Sequence, residues 1–384
     1  MFCEYTTPTM KRQSVKPRIL YVITQGHWGG AQRYIFDLAM QNRHAFDITV
    51  AVGSAGDATD LQKKLAPNNI CIVQLHSLQR AVSPLVDIKA LFELRKLYKQ
   101  ISPNIIHLNS SKAGILGSLA AAGLKAVIVY TAHGWVFHEP MSRPKQTLYQ
   151  FLEAWTSKFK DAIIVLSKFD REAGKKIGIS EKKIHTIPIT VPAGTAYVGK
   201  EDARKKIMPT IPANAFCFGV IANFYKTKGI DVLFNAIASN KRLCHIPVAV
   251  IGDGPERSNL ERQIKHLELT NIHLLGFIEN AALYLKAFDA LVIPSRKEGL
   301  PYIMLDALNA RVPIIATNVG GIHEYIEDKK TGLLVQPDNF QALSIAMDWA
   351  ARHPQIGTAF SHPSIQPAQN TEGAIVDLYK RLLT

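Results

Sequence analysis

Residues 18–40 read RILYVITQGHWGGAQRYIFDLAM: a short apolar, β-rich run, a turn holding Gly26, Gly29 and Gly30, then a helical pattern with Tyr34, Ile35, Leu38 and Ala39 on one face. That is a strand, a glycine turn and a helix. The pattern recurs, with strands expected at 48–52, 70–75, 105–108, 126–130 and 162–166, and a helix at 88–101 carrying Ile88, Leu91, Phe92, Leu97 and Ile101 on one stripe. Fully apolar strands separated by helices predict a parallel sheet covered on both faces, the doubly wound arrangement.

Between residues 187 and 210 the pattern lapses into a polar stretch with Pro188 and Pro192, which reads as a linker. It then restarts, with strands expected at 216–221, 247–251, 273–275, 290–293, 314–316 and 333–335 and helices at 229–238, 257–267 and 302–309. The expected fold class is therefore α/β, with two Rossmann-like doubly wound domains facing a central cleft. The expected division is a disordered tail at 1–16, a first domain at 17–192, a second at 193–363, and a C-terminal helix within 364–384 that returns to the first domain.

A chain of 384 residues with 47% hydrophobic and 20% charged residues and no low-complexity tract has the composition of an ordered globular protein. Its four cysteines, Cys3, Cys71, Cys217 and Cys244, lie far apart with no Cys-x-x-Cys spacing, which fits a reducing cytoplasm. The first 16 residues hold no apolar core for a signal peptide, and the most apolar run, 113–130, is broken by Ser118 and Lys125. Charge is uneven: residues 1–200 carry 26 Lys+Arg against 13 Asp+Glu, whereas 201–384 carry 19 against 18, so nearly all of the net +14 lies in the first half. A basic half beside a neutral one suggests an anionic partner, such as a bilayer surface, a phosphorylated substrate or nucleic acid, with solvated lysines kept for solubility as the competing account.

The densest chemistry lies in Glu298-Gly-Leu-Pro-Tyr-Ile-Met-Leu-Asp306, directly after the apolar run LVIP and Ser295. Pro301 suits the first helical position, so Gly299 and Leu300 sit at a helix start whose amides favour an anion. Glu298 before the helix and Asp306 within it suit a ligand with a phosphate in the middle and hydroxyls on either side, because carboxylates accept hydrogen bonds from hydroxyls. Taken alone, the two acids read equally well as a first-turn acid paired with the helix dipole and an exposed helix acid. Three further stretches favour the ligand: Asn223 and Lys228-Gly229 after the strand at 216–221, Gly252-Asp-Gly254 after the next, and Gly276-Phe277, where backbone groups are placed to meet a base.

In their order, these blocks resemble the donor domain of a retaining, family 4 glycosyltransferase of the GT-B fold. They are ANFYKTKG at 222–229, GDGPE at 252–256, LGF at 275–277, PSRKEGLP at 294–301, NVGGIHE at 318–324 and TGLLV at 331–335. The first half is similar as well, through WGGAQ at 28–32, HLNSSKAG at 107–114 and YTAHGW at 130–135. The resemblance implies that Glu298 contacts the donor sugar, Asp306 the ribose hydroxyls, Lys228 the diphosphate and His133 the reacting sugar, with Gly29, Gly30, Asn223, Gly254, Phe277, Gly299, Leu300 and Pro301 completing the donor site. Departures from the family pattern are Asp306 for a glutamate, Asn223 for an arginine and Asn109 for the second histidine of a His-x-His. His107, on an apolar strand, reads as a core histidine.

Transfer with retention needs charge placed where the leaving diphosphate develops its own. Lys228 and the helix starts after Gly29-Gly30 and at Pro301 can supply it without a metal, and the sequence has no Asp-x-Asp; no cofactor is expected. The acceptor is expected on the basic first domain, with Trp28, Trp135 and Phe137 either packing against a lipid tail or sugar face or serving as core. The resemblance implies a polyprenyl-diphosphate-linked glycan as acceptor. A cytoplasmic protein, peripheral on the anionic inner face of the cell membrane, then follows, with Lys11, Arg12, Lys16, Arg18, Arg143 and Lys145 as candidate contacts. Nucleic acid is not expected, since no motif of its usual binders is present. The alternatives are a non-hydrolysing sugar-nucleotide 2-epimerase of the same fold and a non-catalytic sugar-nucleotide-binding protein.

Overall fold

Alternation of strand and helix runs through both halves of the computed structural model, which describes residues 16–53, 60–192, 194–212, 214–355 and 371–384. The expected tail lies outside the described residues except for Lys16. The chain divides into one unit of Met1–Ile189 with Asn370–Thr384 and a second of Thr190–Gln369.

The first unit is built on seven parallel strands: β1 (Arg18–Ile23), β2 (Asp47–Gly53), β3 (Cys71–Leu75), β4 (Ile105–Asn109), β5 (Val127–Ala132), β6 (Ala162–Val165) and β7 (Ile184–Thr186), in the order β3-β2-β1-β4-β5-β6-β7. Between them run α1 (Gly30–Asn42), α2 (Asp60–Leu65), α3 (Pro84–Ile101), α4 (Ser111–Ala121), α5 (Arg143–Thr156) and α6 (Lys168–Lys176). Strand order reverses between β1 and β4, and there the exits of two neighbouring strands diverge to leave a crevice at the carboxyl edge. Helix α4 has no amphipathic stripe to betray it. Its small residues instead let it press on the sheet: a Cβ on Gly114 would lie 2.8 Å from the Tyr130 ring, and one on Gly117 2.5 Å from Leu108. A buried ion pair ties the end of α5 to the sheet, with Lys160 Nζ 3.4 Å from Glu153 Oε2 and 4.3 Å from the centre of the Tyr130 ring. Burial holds the Lys160 pKa below its ordinary value, and the Glu153 carboxylate opposes that shift.

The second unit carries six parallel strands: β8 (Phe218–Ile221), β9 (Val248–Ile251), β10 (Ile272–Gly276), β11 (Ala290–Ile293), β12 (Ile314–Thr317) and β13 (Leu333–Val335), in the order β10-β9-β8-β11-β12-β13. Its helices are α7 (Lys200–Ile207), α8 (Ile230–Ala238), α9 (Arg257–His266), α10 (Tyr302–Ala310) and α11 (Phe340–Arg352). The order reverses between β8 and β11. A last helix, α12 (Thr371–Leu383), belongs to the first unit, where the Tyr379 hydroxyl lies 2.5 Å from His107 Nδ1.

Two expectations need correction. The stretch 187–210 is no bare linker, for it contains α7, whose composition KEDARKKI is too polar to signal a packed helix. Ala203, Arg204 and Ile207 are buried, and Arg204 anchors the helix: it donates to the carbonyls of Ala287, Pro212 and Ala215 and pairs with Asp289 at 2.6 Å. The second correction concerns Pro301, which is the N-cap residue of α10 with ψ 124°, so the helix begins one residue later, at Tyr302.

Candidate active site

In the second unit the candidate residues follow the strands that flank the reversal. After β8, the short turn Lys226–Lys228 ends at Gly229, whose φ of 63° is the left-handed region that glycine tolerates best. A Cβ there would lie 2.0 Å from the Pro294 carbonyl oxygen, so only glycine lets this turn press against the exit of β11. The contact brings Lys228 Nζ to 2.6 Å from Glu298 Oε1, and the Ser295 hydroxyl donates to the same oxygen at 2.7 Å. Glu298 is only 9% exposed, and a carboxylate so placed requires partners of this kind.

Arg296 clasps the two loops together. Its guanidinium makes two 2.7 Å bonds to Asp231, one of 2.6 Å to Asp338 and one of 2.6 Å to the Lys226 carbonyl, while its backbone N–H donates to Thr227 at 2.8 Å. The bond to Asp231, first among these influences, raises the arginine's already high pKa. From the β12 side, Gly321 N–H donates to the Gly299 carbonyl at 2.7 Å, and a Cβ on Gly320 would meet the Glu298 carbonyl oxygen at 2.2 Å. Glu298 thus stands in a loop gripped from both neighbouring strand exits.

The remaining donor-side candidates lie around this centre. Leu300 and Pro301 are buried at the start of α10. Asp306, also buried, accepts a long hydrogen bond of 3.5 Å from the Tyr197 hydroxyl, which itself receives one from Asn309 at 3.3 Å. Gly254 follows β9 with φ 156°, and a Cβ there would press on the Phe224 backbone; Phe224 N–H donates to the Asp253 carbonyl at 2.8 Å, joining the loop that carries Asn223 to the loop after β9. Phe277 follows β10 and is exposed. Lys228, Asn223, Gly254, Phe277, Glu298 and Gly299 therefore share the carboxyl edge of one sheet, which is where α/β folds bind ligands.

In the first unit, Gly29 caps α1 at the exit of β1 with extended backbone and no side-chain cap, so the helix start presents bare amides. Trp28 lies beside it, edge-on to Phe36 at 6.0 Å and under the Lys64 ammonium at 4.8 Å. His133 directly follows β5, half-buried, edge-on to the Tyr34 ring at 4.9 Å. Its Nε2 lies 3.3 Å from Asn109 Oδ1, and the Asn109 amide nitrogen donates to the His107 carbonyl at 3.0 Å. Because that carbonyl can only accept, the amide orientation is decided, and His133 donates through Nε2 and, when neutral, carries its lone pair on Nδ1. His107 is the core histidine expected: buried, bonded to Thr131 at 2.7 Å and to Tyr379, and pushed down to a pKa of about 3, chiefly by burial with the nearby His133 adding to it.

Trp135 and Phe137 are not ligand-facing. Both are fully buried in the first core, stacked on one another at 5.6 Å, and the Trp135 indole donates to the Asp170 carbonyl at 2.7 Å. Removing an aromatic ring from such a place costs about 3–5 kcal/mol of stability, so these rings are occupied as core. Sequence reasoning gave no role to Ser295, Arg296 and Tyr197, and treated Asn109 only as a departure. The first two stand inside the stretch PSRKEGLP, which is the signal that marks them.

Residues 28–193 match the family model described as Glycosyltransferase Family 4, and residues 202–361 match Glycosyl transferases group 1. Among curated relatives, the chain is 27% identical over 353 residues to the UDP-Gal:alpha-D-GlcNAc-diphosphoundecaprenol alpha-1,3-galactosyltransferase of Escherichia coli, covering 88% of this chain and 89% of that one. It is 26% identical over 317 residues to the O-antigen biosynthesis glycosyltransferase WbnH of Escherichia coli, covering 82% and 85%. Of solved structures, Anabaena HepE in complex with UDP and glucose superposes with a TM-score of 0.76 at 20% identity, over 95% of this chain and 98% of that one. Sucrose-phosphate synthase from Thermosynechococcus elongatus gives 0.79 at 20% identity, over 96% and 99%. These two likenesses concern the fold.

Proposed function

Because the chain belongs to the family 4 glycosyltransferases of GT-B fold, we propose that it moves a hexose, with retention of configuration and without a metal, from a uridine-diphosphate sugar to a hydroxyl of a sugar carried on polyprenyl diphosphate. The acceptor class and the nucleotide come from the Escherichia coli relative, whose name specifies UDP-Gal and GlcNAc-diphosphoundecaprenol. The observation that carries the reading is the Glu298 carboxylate, held on one oxygen by Lys228 and Ser295 at the strand-order reversal.

In this reading Oε2 of Glu298 accepts from a hydroxyl of the donor sugar. Lys228 uses one of its three N–H donors on Glu298 and turns the others to the diphosphate. The acceptor oxygen bonds to the anomeric carbon on the face the diphosphate leaves, the bond from that carbon to the diphosphate oxygen breaks, and the acceptor proton passes to the departing phosphate. Lys228 and the amides at the start of α10 stabilise the charge that develops there. Asp306 accepts from the ribose, and His133 meets the reacting sugar. The synthesis of surface polysaccharide at the anionic inner face of the cell membrane is the setting proposed.

The test is incubation with a panel of uridine-diphosphate sugars and a short-chain polyprenyl-diphosphate N-acetylglucosamine, with products read by mass spectrometry and the new linkage by NMR. An α-linked product from an α-linked donor is expected, unchanged by chelator. A β-linked product overturns retention, and loss on chelation with rescue by manganese overturns metal independence. Epimerised donor without transfer identifies the epimerase, and binding alone the non-catalytic protein.

A further inference from the structure

Helices α3 and α5 of the first unit each leave a stripe of large apolar side chains in water. On α3 these are Leu85, Ile88 and Phe92, the outer two 77% and 65% exposed; on α5 they are Leu148, Phe151 and Trp155, with Phe151 61% exposed. Both sets repeat at i, i+3 and i+7, the spacing of one helix face. Each helix spends a different face on the core, α3 through Ala90, Leu94, Leu97, Tyr98 and Ile101, and α5 through Glu153 and Thr156. The single stripe expected of Ile88, Leu91, Phe92, Leu97 and Ile101 is thereby corrected: Ile88 and Phe92 lie on the outer face and Leu97 and Ile101 on the inner one. Helix α4 packs between the two, with Ile115, Leu116 and Leu119 half-buried. The three helices thus lie in one layer, and the two stripes belong to one surface.

The charge around the stripes has one sign. Lys89 and Lys96 are exposed on α3, and Arg143 and Lys145 open α5, with Lys158 just past its end. The acids on these helices are all engaged: Asp87 pairs with Lys112, Glu93 accepts from the backbone N–H of His76 and Ser77 at 2.8 Å each, and Glu153 is buried with Lys160. Isolated exposed apolar residues are ordinary, but two aligned stripes rimmed by cations make the pattern of a helix that lies in a membrane interface.

We propose that the α3–α5 face docks this protein onto an anionic lipid bilayer, the apolar stripes entering the acyl boundary and Lys89, Lys96, Arg143, Lys145 and Lys158 meeting lipid phosphates. Charge decides the occupant: a second copy of the chain seated on the same face would set these cations against their own kind. The proposal deepens the functional reading above, from which it takes a lipid-linked acceptor. Of the contacts expected from the sequence it keeps Arg143 and Lys145, whereas Lys11 and Arg12 lie outside the described residues.

The test is co-sedimentation with phosphatidylcholine vesicles with and without about one third phosphatidylglycerol, at low salt and at about 0.5 M salt, where screening acts over only about 4 Å. Wild type is expected to pellet with the anionic vesicles and to be partly released by salt. The doubly substituted Phe92→Asp, Phe151→Asp protein is expected to bind at least about tenfold more weakly, and Lys89→Glu with Lys145→Glu to lose a similar factor together with most of the salt dependence. Ile345→Asp, an exposed apolar residue of the second unit, serves as control and is expected to bind as wild type. All variants are expected to keep the wild-type unfolding midpoint, as surface substitutions do. Undiminished binding by the Phe92, Phe151 variant, binding indifferent to lipid charge, or a wild-type dimer that this variant dissociates would each overturn the proposal. Donor hydrolysis and transfer to a water-soluble acceptor are measured alongside. If wild type lacks both while the vesicle results hold, it is the glycosyltransferase reading that fails and the docking surface that stands.

Discussion

Replacing Lys228 by methionine keeps the length of the side chain and removes the ammonium that stands 2.6 Å from Glu298 Oε1. At that distance, and with an effective dielectric of about 20, the attraction is about 6 kcal/mol before desolvation is counted. The Lys228 side chain is 27% exposed and Glu298 9%, so desolvation of the acid and screening of the base offset most of it, leaving a net loss of about 1–3 kcal/mol. For the unit Thr190–Gln369 that corresponds to a midpoint lowered by about 3–8 °C. Glu298→Gln is expected to cost less, because glutamine still accepts from Ser295 and the lysine reaches water. The double variant is expected to be more stable than Lys228→Met alone, since no buried carboxylate is then left without its counter-charge. Urea unfolding of the four proteins gives the coupling directly. Strict additivity would mean that the ion pair does not hold the loop, and the account of how Glu298 is positioned would fall. Titration with uridine diphosphate and with uridine on the same four proteins separates the second role: Lys228→Met should lose affinity for the diphosphate far more than for the nucleoside, and equal losses would take Lys228 out of the phosphate site.

Three further outcomes are expected. Gly229→Ala, forced to hold φ 63° with its Cβ 2.0 Å from a carbonyl oxygen, should displace the turn bearing Lys228 and lower both stability, by at least about 2 kcal/mol, and affinity for uridine diphosphate; calorimetry of unfolding and of binding measures the two. His107, with a folded pKa of about 3 against an ordinary 6.5, contributes stability that is complete above about pH 6.5 and is lost as pH falls toward 3, because the unfolded chain binds a proton the native core refuses. Between pH 6.5 and 5 that amounts to about 2 kcal/mol, and in urea titrations His107→Gln should flatten the decline. Glu298→Ala should abolish transfer with the fold intact, whereas Asp306→Ala should chiefly weaken nucleotide binding; near wild-type turnover in Glu298→Ala would remove that residue from the chemistry.

What was legible in the sequence is what periodicity and turn chemistry encode locally. The strand LVIP followed by Ser295, Glu298 and Pro301 announces a strand exit and a helix start, and Lys228-Gly229 announces another, because glycine and proline are restricted to few backbone conformations. That these two exits adjoin could not be read, since it depends on β8 and β11 being neighbours across a reversal of strand order, with the lysine and the glutamate 70 positions apart. Burial was equally illegible at Trp135 and Phe137: an aromatic pair after a strand looks the same whether α6 covers it or not, and here Gly174 of α6 comes so close that a Cβ would lie 3.0 Å from the indole. Helices α4 and α7 escaped for opposite reasons. One, SKAGILGSLAA, is largely small and apolar with no distinct stripe, and the other is so charged that its inward residues Ala203, Arg204 and Ile207 do not stand out.

The departures from the family pattern look different once their surroundings are known. In the sequence Asn109 is only a departure, yet its amide bridges the His107 carbonyl and His133 Nε2, the task of an orienting group: it sets which ring nitrogen of His133 carries the proton. Asp306 is one methylene shorter than the glutamate it replaces, and Tyr197, itself held by Asn309, reaches its carboxylate from the segment that precedes α7. A site losing its function accumulates polar side chains that no longer serve one another. At both positions here the residue present is hydrogen-bonded to its neighbours in the site, Asn109 to His133 and Asp306 to Tyr197. These bonds favour a working site over an eroded one, with Asn109 orienting His133 and Tyr197 meeting Asp306.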